Sequence, residues 1–382
     1  MKINAPAAAR DMAGQTIFKE EKMQEQDARK GYLILENGRV FQGYFFGEER
    51  EAIGELVFTT AMTGYLETLT DPSYYGQLVI QTFPLIGNYG VIPGDFESAR
   101  PFLKAYIVRE WCQQPSNFRS EGRLDAFLKQ EGVPGLYGID TRALTRIVRE
   151  QGVMNAKLSF TPDADEQLLS QLKNFRIKNA VNSVSAQSPG PAPAGNGPKV
   201  VLWDFGAKLN IERELIKRGC QVKIMQANAK AEEILQERPD GIMLSNGPGD
   251  PSENASIIEE LRKICARKLP IFGICLGHQL LALASGAKTG KLKYGHRGAN
   301  QPCTETATGR GYITSQNHGY AVLNETLPPN ARASFINAND GTCEGVEYND
   351  MPAFSVQFHP EASAGPKDTA FLFDKFAAML KK

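Results

Sequence analysis

The sequence predicts an α/β protein: a C-terminal, doubly wound, mostly parallel sheet preceded by a β-rich α+β N-terminal domain. Three observations carry this expectation. From residue 200 onward short apolar runs alternate with helical patterns, the rhythm of a parallel sheet covered by helices on both faces. Before that point the apolar runs are short and separated by Gly, Pro, Asn and Asp, which reads as β structure joined by turns. Between the two, 182–199 is a stretch of Pro, Gly, Ser and Ala that cannot bury a core and reads as a linker. A chain of 382 residues is also too long for one ordinary core, so size alone suggests two domains.

Residues 1–30 form an extension that is dense in charge from residue 19 and lacks an apolar run of signal-peptide length. The N-terminal domain, 31–181, opens with strand-like runs at 32–35 and 40–46 around Asn37-Gly38, a dipeptide that favours a type I′ hairpin. Strands are expected again at 56–59 and 78–82, separated by the turn residues of 70–76, and helices at 123–130 and 141–150. This half contains no histidine, so histidine-dependent chemistry belongs to the C-terminal domain, 200–382. There the pattern predicts strands at 200–205, 222–225, 241–244 and 271–274, with helices at 209–218, 231–236 and 257–265. Ligands of such sheets bind beyond the carboxyl ends of the strands, where Asn246-Gly-Pro-Gly-Asp-Pro and Cys275 both fall.

Bulk properties exclude several functions. Lys plus Arg and Asp plus Glu balance at 43 each, so nothing recruits nucleic acid or an anionic membrane surface, and no run reaches transmembrane length. The six cysteines are scattered without a C-x-x-C pair, which argues against a disulfide framework or a zinc cluster and fits a reducing cytoplasm. The 246–251 loop is not G-x-G-x-x-G, and no G-x-x-x-x-G-K-[ST] occurs, so the chain offers no nucleotide-phosphate cradle.

Chemistry concentrates at 269–286. The apolar run at 271–274 reads as a buried strand, and Leu276, Leu280 and Leu283 recur at helical spacing until Gly286. Cys275 therefore sits on a strand-to-helix turn, flanked by Gly273 and Gly277 in a G-x-C-x-G frame like the G-x-S-x-G elbow of hydrolases. Side chains at the two flanking positions would collide with the neighbouring strand and helix, while the helix N-terminus favours a thiolate. A lone cysteine is more often a small core residue. Strand, glycine frame and helix together favour a nucleophile. The N–H of Leu276 and the 246–251 loop are candidates for an oxyanion hole.

A cysteine nucleophile needs a base and a group to orient it. Four histidines are available. His278 lies along the same helix as the cysteine, a poor position from which to face the sulfur, and His296 and His318 read as residues of Gly-containing loops. His359 ends the apolar run 353–358 and precedes Pro360 and Glu361; in an extended segment residues two apart face one side, so Glu361 can hydrogen-bond the imidazole. His359 is the expected base and Glu361 its orienting group.

Gly273-Ile-Cys-Leu-Gly-His-Gln, Ser245-Asn-Gly-Pro-Gly-Asp-Pro and His359-Pro-Glu resemble, respectively, the elbow, loop and base signatures of class I (triad) glutamine amidotransferases. Phe58-Thr-Thr-Ala-Met-Thr-Gly-Tyr-Leu-Glu, Leu69-Thr-Asp-Pro-Ser-Tyr, Ile86-Gly-Asn-Tyr-Gly, Gly138-Ile-Asp-Thr-Arg-Ala-Leu-Thr-Arg and Asp204-Phe-Gly-Ala-Lys look like the small, glutamine-hydrolysing subunits of carbamoyl-phosphate synthetases. The resemblance implies a triad at Cys275, His359 and Glu361. It implies glutamine contacts at Gly247, Gly249, Leu276, Gln279, Asn317, Gly319 and Tyr320, and at Ala61, where some members carry serine. Tyr320 stands where phenylalanine is frequent, and Asn155-Ala-Lys replaces a glycine-containing stretch. The implied activity is hydrolysis of L-glutamine to glutamate and ammonia through a γ-glutamyl thioester. Ammonia would pass by an enclosed route to a large synthetase subunit, docked on the first domain, that makes carbamoyl phosphate from bicarbonate and ATP for arginine and pyrimidine synthesis. No cofactor or metal is expected in this chain, ATP and magnesium belonging to the partner. Two rival readings are a catalytically inert stabilising or regulatory subunit and another Cys-His hydrolase of γ-glutamyl amides.

Overall fold

The computed structural model describes residues 28–191 and 195–380. Most of the expected charged extension, 1–27, and positions 192–194 of the expected linker lie outside the described residues.

The N-terminal half is built on β1 (Lys30–Leu35), β2 (Val40–Gly47), β3 (Ala52–Thr59), β4 (Gln77–Gln81), β5 (Leu85–Ile86), β6 (Ala105–Ile107), β7 (Glu110–Trp111), β8 (Pro134–Tyr137) and β9 (Met154–Ser159). Seven of these close into a barrel in the order β1-β2-β8-β6-β4-β3-β9, and β5 pairs with β7. Closure leaves the barrel no free edge. Alternate residues along the strands feed two cores. Leu56, Phe58, Leu78 and Ile80 join one with Leu144, Ile147 and Val148 of the helix Thr141–Gln151. Val57, Val79 and Tyr106 join the other with Tyr65, Leu69, Leu124 and Leu128.

The hairpin forms at Asn37-Gly38, yet its turn differs from the expected type I′. Gly38 alone has positive φ (83°), Gly38 N–H donates to Leu35 O and Leu35 N–H to Arg39 O. A type I turn followed by a left-handed glycine therefore makes a three-residue loop with a bulge, the next commonest solution for a twisted hairpin.

The second half carries β10 (Lys199–Asp204), β11 (Gln221–Gln226), β12 (Gly241–Leu244), β13 (Ile271–Ile274), β14 (Thr289–Glu305), β15 (Gly311–Val322), β16 (Ala331–Asn337), β17 (Cys343–Tyr348) and β18 (Ala353–Val356). They form one nine-stranded sheet, β11-β10-β12-β13-β18-β17-β16-β14-β15. The run from β11 to β18 is parallel, and antiparallel pairing takes over from β18 to β15. Helices cover both faces of the parallel part. Val201 and Trp203 pack with Ile234, Leu261 and Leu280 on one face, while Val200 and Leu202 pack with Ile211, Leu215, Leu372 and Phe376 on the other.

The stretch read as linker opens on a helix, Ala180–Val184, and Ser185 is pinned beside the sheet: its hydroxyl donates to Asp204 O (2.7 Å) and accepts from Ala227 N–H (2.9 Å). Cys112, Cys265, Cys275, Cys303 and Cys343 are free thiols, and among the described residues no helix is long and apolar enough to cross a membrane.

Candidate active site

The parallel strands end where β13 turns into the helix Leu276–Ala284, and Cys275 is the turn, at φ 51° and ψ −103°. Such a conformation costs a non-glycine residue about 1–3 kcal/mol and persists only where its surroundings impose it. The glycine frame supplies that imposition. A Cβ on Gly273 would lie 2.9 Å from the carbonyl of Gly277, and one on Gly277 would lie 2.5 Å from Leu244 O and 2.7 Å from Leu244 Cβ on neighbouring β12. Both are contacts with backbone or a core side chain that cannot swing aside. Gly277→Ala is therefore expected to displace the elbow and cost about 1–3 kcal/mol, the range for overpacking a filled core, read as a lower urea midpoint together with lost activity. A variant with the wild-type midpoint and activity contradicts this account of the turn.

His359 and Glu361 follow β18, the strand beside β13. Both are buried, and His359 Nδ1 lies 2.6 Å from Glu361 Oε1. Nδ1 thus donates to the carboxylate, while Nε2 is buried with no other hydrogen-bond partner and Cys275 is among the groups acting electrostatically on the ring. Burial and the Lys208 ammonium push the imidazole down, but Glu361 and Cys275 outweigh them and hold it up at about 10. Burial pushes Glu361 up, and His359 and Lys208 bring it down to about 2. The structure thus pairs His359 with Glu361 and puts Cys275 within electrostatic reach of the imidazole.

This pair carries a pH signature. Because His359 is raised above its ordinary 6.5, its contribution to stability is complete below that value and fades as pH climbs toward 10. Because Glu361 is lowered from 4.5, its contribution is complete above that value and is lost as pH falls toward 2. The stability gap between wild type and His359→Gln in urea unfolding should accordingly be widest near pH 5.5 and narrow by pH 9. A gap that widens toward pH 9 contradicts the assignment.

A cleft of about 540 Å³ opens over Cys275 between the two halves of the chain, lined by Gly247, Gly249, Gln279, Asn317, Gly319 and Tyr320 from one and by Ser73, Tyr75 and Gln77 from the other. Gln279 donates to Tyr320 O (2.8 Å) and to Gln357 Oε1 (2.9 Å), which fixes its amide at the cleft wall. Asn317 O lies 3.7 Å from Cys275 Sγ. Gly249 has φ 91°, and a Cβ on Gly247 would strike Phe205 O, so this loop takes glycine for both conformation and space. Leu276 turns its side chain into the core, leaving only its backbone for the site.

Ala61, expected beside the substrate, is absent from the cleft lining. It lies on a second cavity of about 60 Å³ that shares Asn317 with the cleft and is also lined by Thr59, Glu67, Glu97, Lys208, Gly298 and Gly365. Thr60 N–H donates to Arg297 O (3.1 Å), which ties this segment to β14.

His278 is buried, bonded to Ser355 Oγ (2.8 Å) and pushed down to about 3 by burial, a neutral packing residue on the helix that follows Cys275. His296 and His318, expected in loops, lie opposite one another on paired β14 and β15. Positive φ at Gly295 (72°) and register shifts on either side of this pair accommodate their glycines as irregularities within long strands.

Sequence reasoning missed the support beneath the triad. Lys208, in the loop after β10, is buried with Nζ 3.4 Å from Glu361 Oε1, 3.5 Å from Asp71 Oδ2 and 3.3 Å from His359 Nδ1. Asp71 also accepts from Asn317 Nδ2 (3.0 Å), and Ser73 Oγ lies 3.0 Å from Asn246 Nδ2. Glu97 accepts from Asn210 N–H (3.1 Å) and Ser363 Oγ (3.2 Å), with burial raising its carboxyl to about 7. Both Asp71 and Lys208 sit inside motifs singled out above. The available signal for Lys208 was its place at the carboxyl end of a parallel strand.

A cysteine on a strained strand-to-helix turn, a buried His-Glu pair just beyond the adjacent strand and a glycine loop on the other side make this half a class I glutamine amidotransferase domain. Residues 201–379 match the family described as glutamine amidotransferase class-I, and residues 33–158 match the CPSase domain of the carbamoyl-phosphate synthase small chain. The carbamoyl phosphate synthase small chain of Fusobacterium nucleatum is 53% identical over 349 residues, covering 90% of this chain and 96% of that one. That of Bacillus cereus is 54% identical over 354 residues, covering 92% and 96%. This chain belongs to the carbamoyl phosphate synthase small chain family.

Proposed function

We propose that the chain is the glutaminase subunit of a carbamoyl-phosphate synthetase. The observation that carries this reading is the strained Cys275 at the floor of an interdomain cleft, with the buried His359–Glu361 pair behind it. Cys275 thiolate attacks the side-chain amide carbon of glutamine, and the oxyanion rests on the N–H groups of Gly249 and Leu276. His359, charged and held by Glu361, gives a proton to the amide nitrogen; the carbon–nitrogen bond breaks and ammonia leaves. Water then adds to the γ-glutamyl thioester, losing a proton to His359, and glutamate departs as the sulfur is regenerated. Gly247, Gln279, Asn317, Gly319 and Tyr320 hold the substrate, with Ala61 outside its immediate shell.

The second cavity supports an enclosed path for ammonia, because it shares Asn317 with the substrate cleft. The path leads to a large synthetase subunit docked on the barrel, which uses ATP, magnesium and bicarbonate to make carbamoyl phosphate for arginine and pyrimidine synthesis. This chain's own step uses no metal or cofactor, and the free thiols of Cys265, Cys303 and Cys343 support a cytoplasmic setting. The test is glutamate release from L-glutamine, alone and with the large subunit, coupled to acid trapping of labelled glutamine on the protein. Expected are turnover with the partner and label on Cys275. No turnover in either condition favours an inert subunit and overturns the proposal.

A further inference from the structure

We propose that Phe118 is the anchor by which this chain docks its large synthetase subunit, inserting into an apolar pocket of that partner. This rests on the reading of the chain as one subunit of a two-part synthetase. Phe118 is 96% exposed, the most exposed large apolar side chain among the described residues, although a phenylalanine normally contributes its ring to a core. Its exposure is imposed by an ordered turn. Arg119 N–H donates to Asn117 Oδ1 (2.8 Å), Ser120 N–H to Asn117 O (3.1 Å) and Ser116 N–H to Asn88 O (3.0 Å). Glu121 N–H donates to Val91 O (2.8 Å), Arg119 is paired with Asp95, and Gly90 has no room for a Cβ against Ser120. A ring held out by a rigid turn loses little conformational entropy on binding, which is how aromatic anchors gain their share of interface energy.

The scaffold of this turn is continuous with the wall of the small cavity proposed to carry ammonia. Asp95, which holds Arg119, lies two residues before Glu97 of that wall. Tyr89, next to Asn88, accepts from the N–H of Gly64 on the cavity rim (3.0 Å) and stacks on Tyr65 at 4.1 Å between ring centroids. Met62, 71% exposed, sits between Ala61 and Thr63 of the same rim. A protein seated on Phe118 thus rests on the framework that shapes the exit side of the site, which fits the subunit that receives ammonia better than a second copy of this chain. The pocket should carry an acceptor for Arg119, whose side chain stays half exposed while paired to Asp95.

The experiment measures association of the purified full chain with its purified large subunit by sedimentation or surface binding. Phe118→Ser is expected to raise Kd at least about tenfold, while the isolated chain keeps its circular dichroism, thermal midpoint and glutaminase rate. Phe118→Trp should return binding to near the wild-type value. Cys275→Ser should bind as wild type does, which separates docking from chemistry. Wild-type binding retained by Phe118→Ser overturns the proposal, and so does a wild-type self-association that Phe118→Ser abolishes, since the surface would then belong to a second copy. If even the wild type binds no large subunit, the two-part reading itself fails.

Discussion

Cys275→Ser is expected to abolish glutamate release from glutamine while sparing carbamoyl phosphate synthesis from added ammonia in the complex with the large subunit. The substitution is close to isosteric at a position only 2% exposed, and serine inherits the same strained backbone, so the elbow and the His359–Glu361 pair stay in place. What changes is chemical. An alcohol at this turn does not ionise near neutral pH and is a far weaker nucleophile than a thiolate. Turnover should fall at least about a thousandfold, the scale on which removing a nucleophile from a triad acts. Ammonia supplied from solution bypasses the step, so that rate should stay within about twofold of wild type if the thiol acts only in the hydrolytic step. Parallel assays with glutamine and with ammonium chloride decide it, and an equal fall in both removes Cys275 from the role of nucleophile.

The elbow was legible because its constraints are local. Gly273, Cys275 and Gly277 answer to clashes within a strand, a turn and a helix contiguous in the chain, and a five-residue pattern holds all of that information. The His359–Glu361 contact was legible for the same reason, two residues apart on an extended segment. The parallel strands were legible from their uninterrupted apolar runs, which burial on both faces requires. Barrel closure was hidden because β6 and β8 are three and four residues long, too short to display a period, and because β3, β4, β6 and β8 pair in parallel across long connections. The β14–β15 ribbon was hidden by its glycines, which mark bulges there although they elsewhere mark loops. Ala61 and Lys208 belong to a third category. Their positions depend on how the barrel seats against the sheet, through Thr60 on Arg297 and Asp71 on Lys208, and no window of sequence contains both partners.

Lys208→Met should therefore disturb the site more than its absence from the expected triad suggests. One ammonium, buried and raised well above its ordinary value, is shared by Asp71 and Glu361 within ion-pair distance, with Glu97 adding to the attraction. Burial alone opposes its charge; the carboxylates, led by Asp71, reverse the balance. Methionine fills the space and leaves those carboxylates uncompensated, which for buried pairs costs about 3–5 kcal/mol, visible as a lower urea midpoint. The same change has a second, more specific signature. Lys208 lowers the pKa of His359, so its removal raises that pKa further, and the free imidazole that the proposed thioester hydrolysis needs appears only at higher pH. The acid limb of the kcat profile should move toward alkaline pH in Lys208→Met and stay near its wild-type position in Lys208→Arg, which keeps the charge. A packing defect alone lowers stability and leaves that limb where it was. Profiles of both variants between pH 6 and 10 distinguish the two, and an unmoved limb in Lys208→Met would reduce this lysine to a strut between the domains.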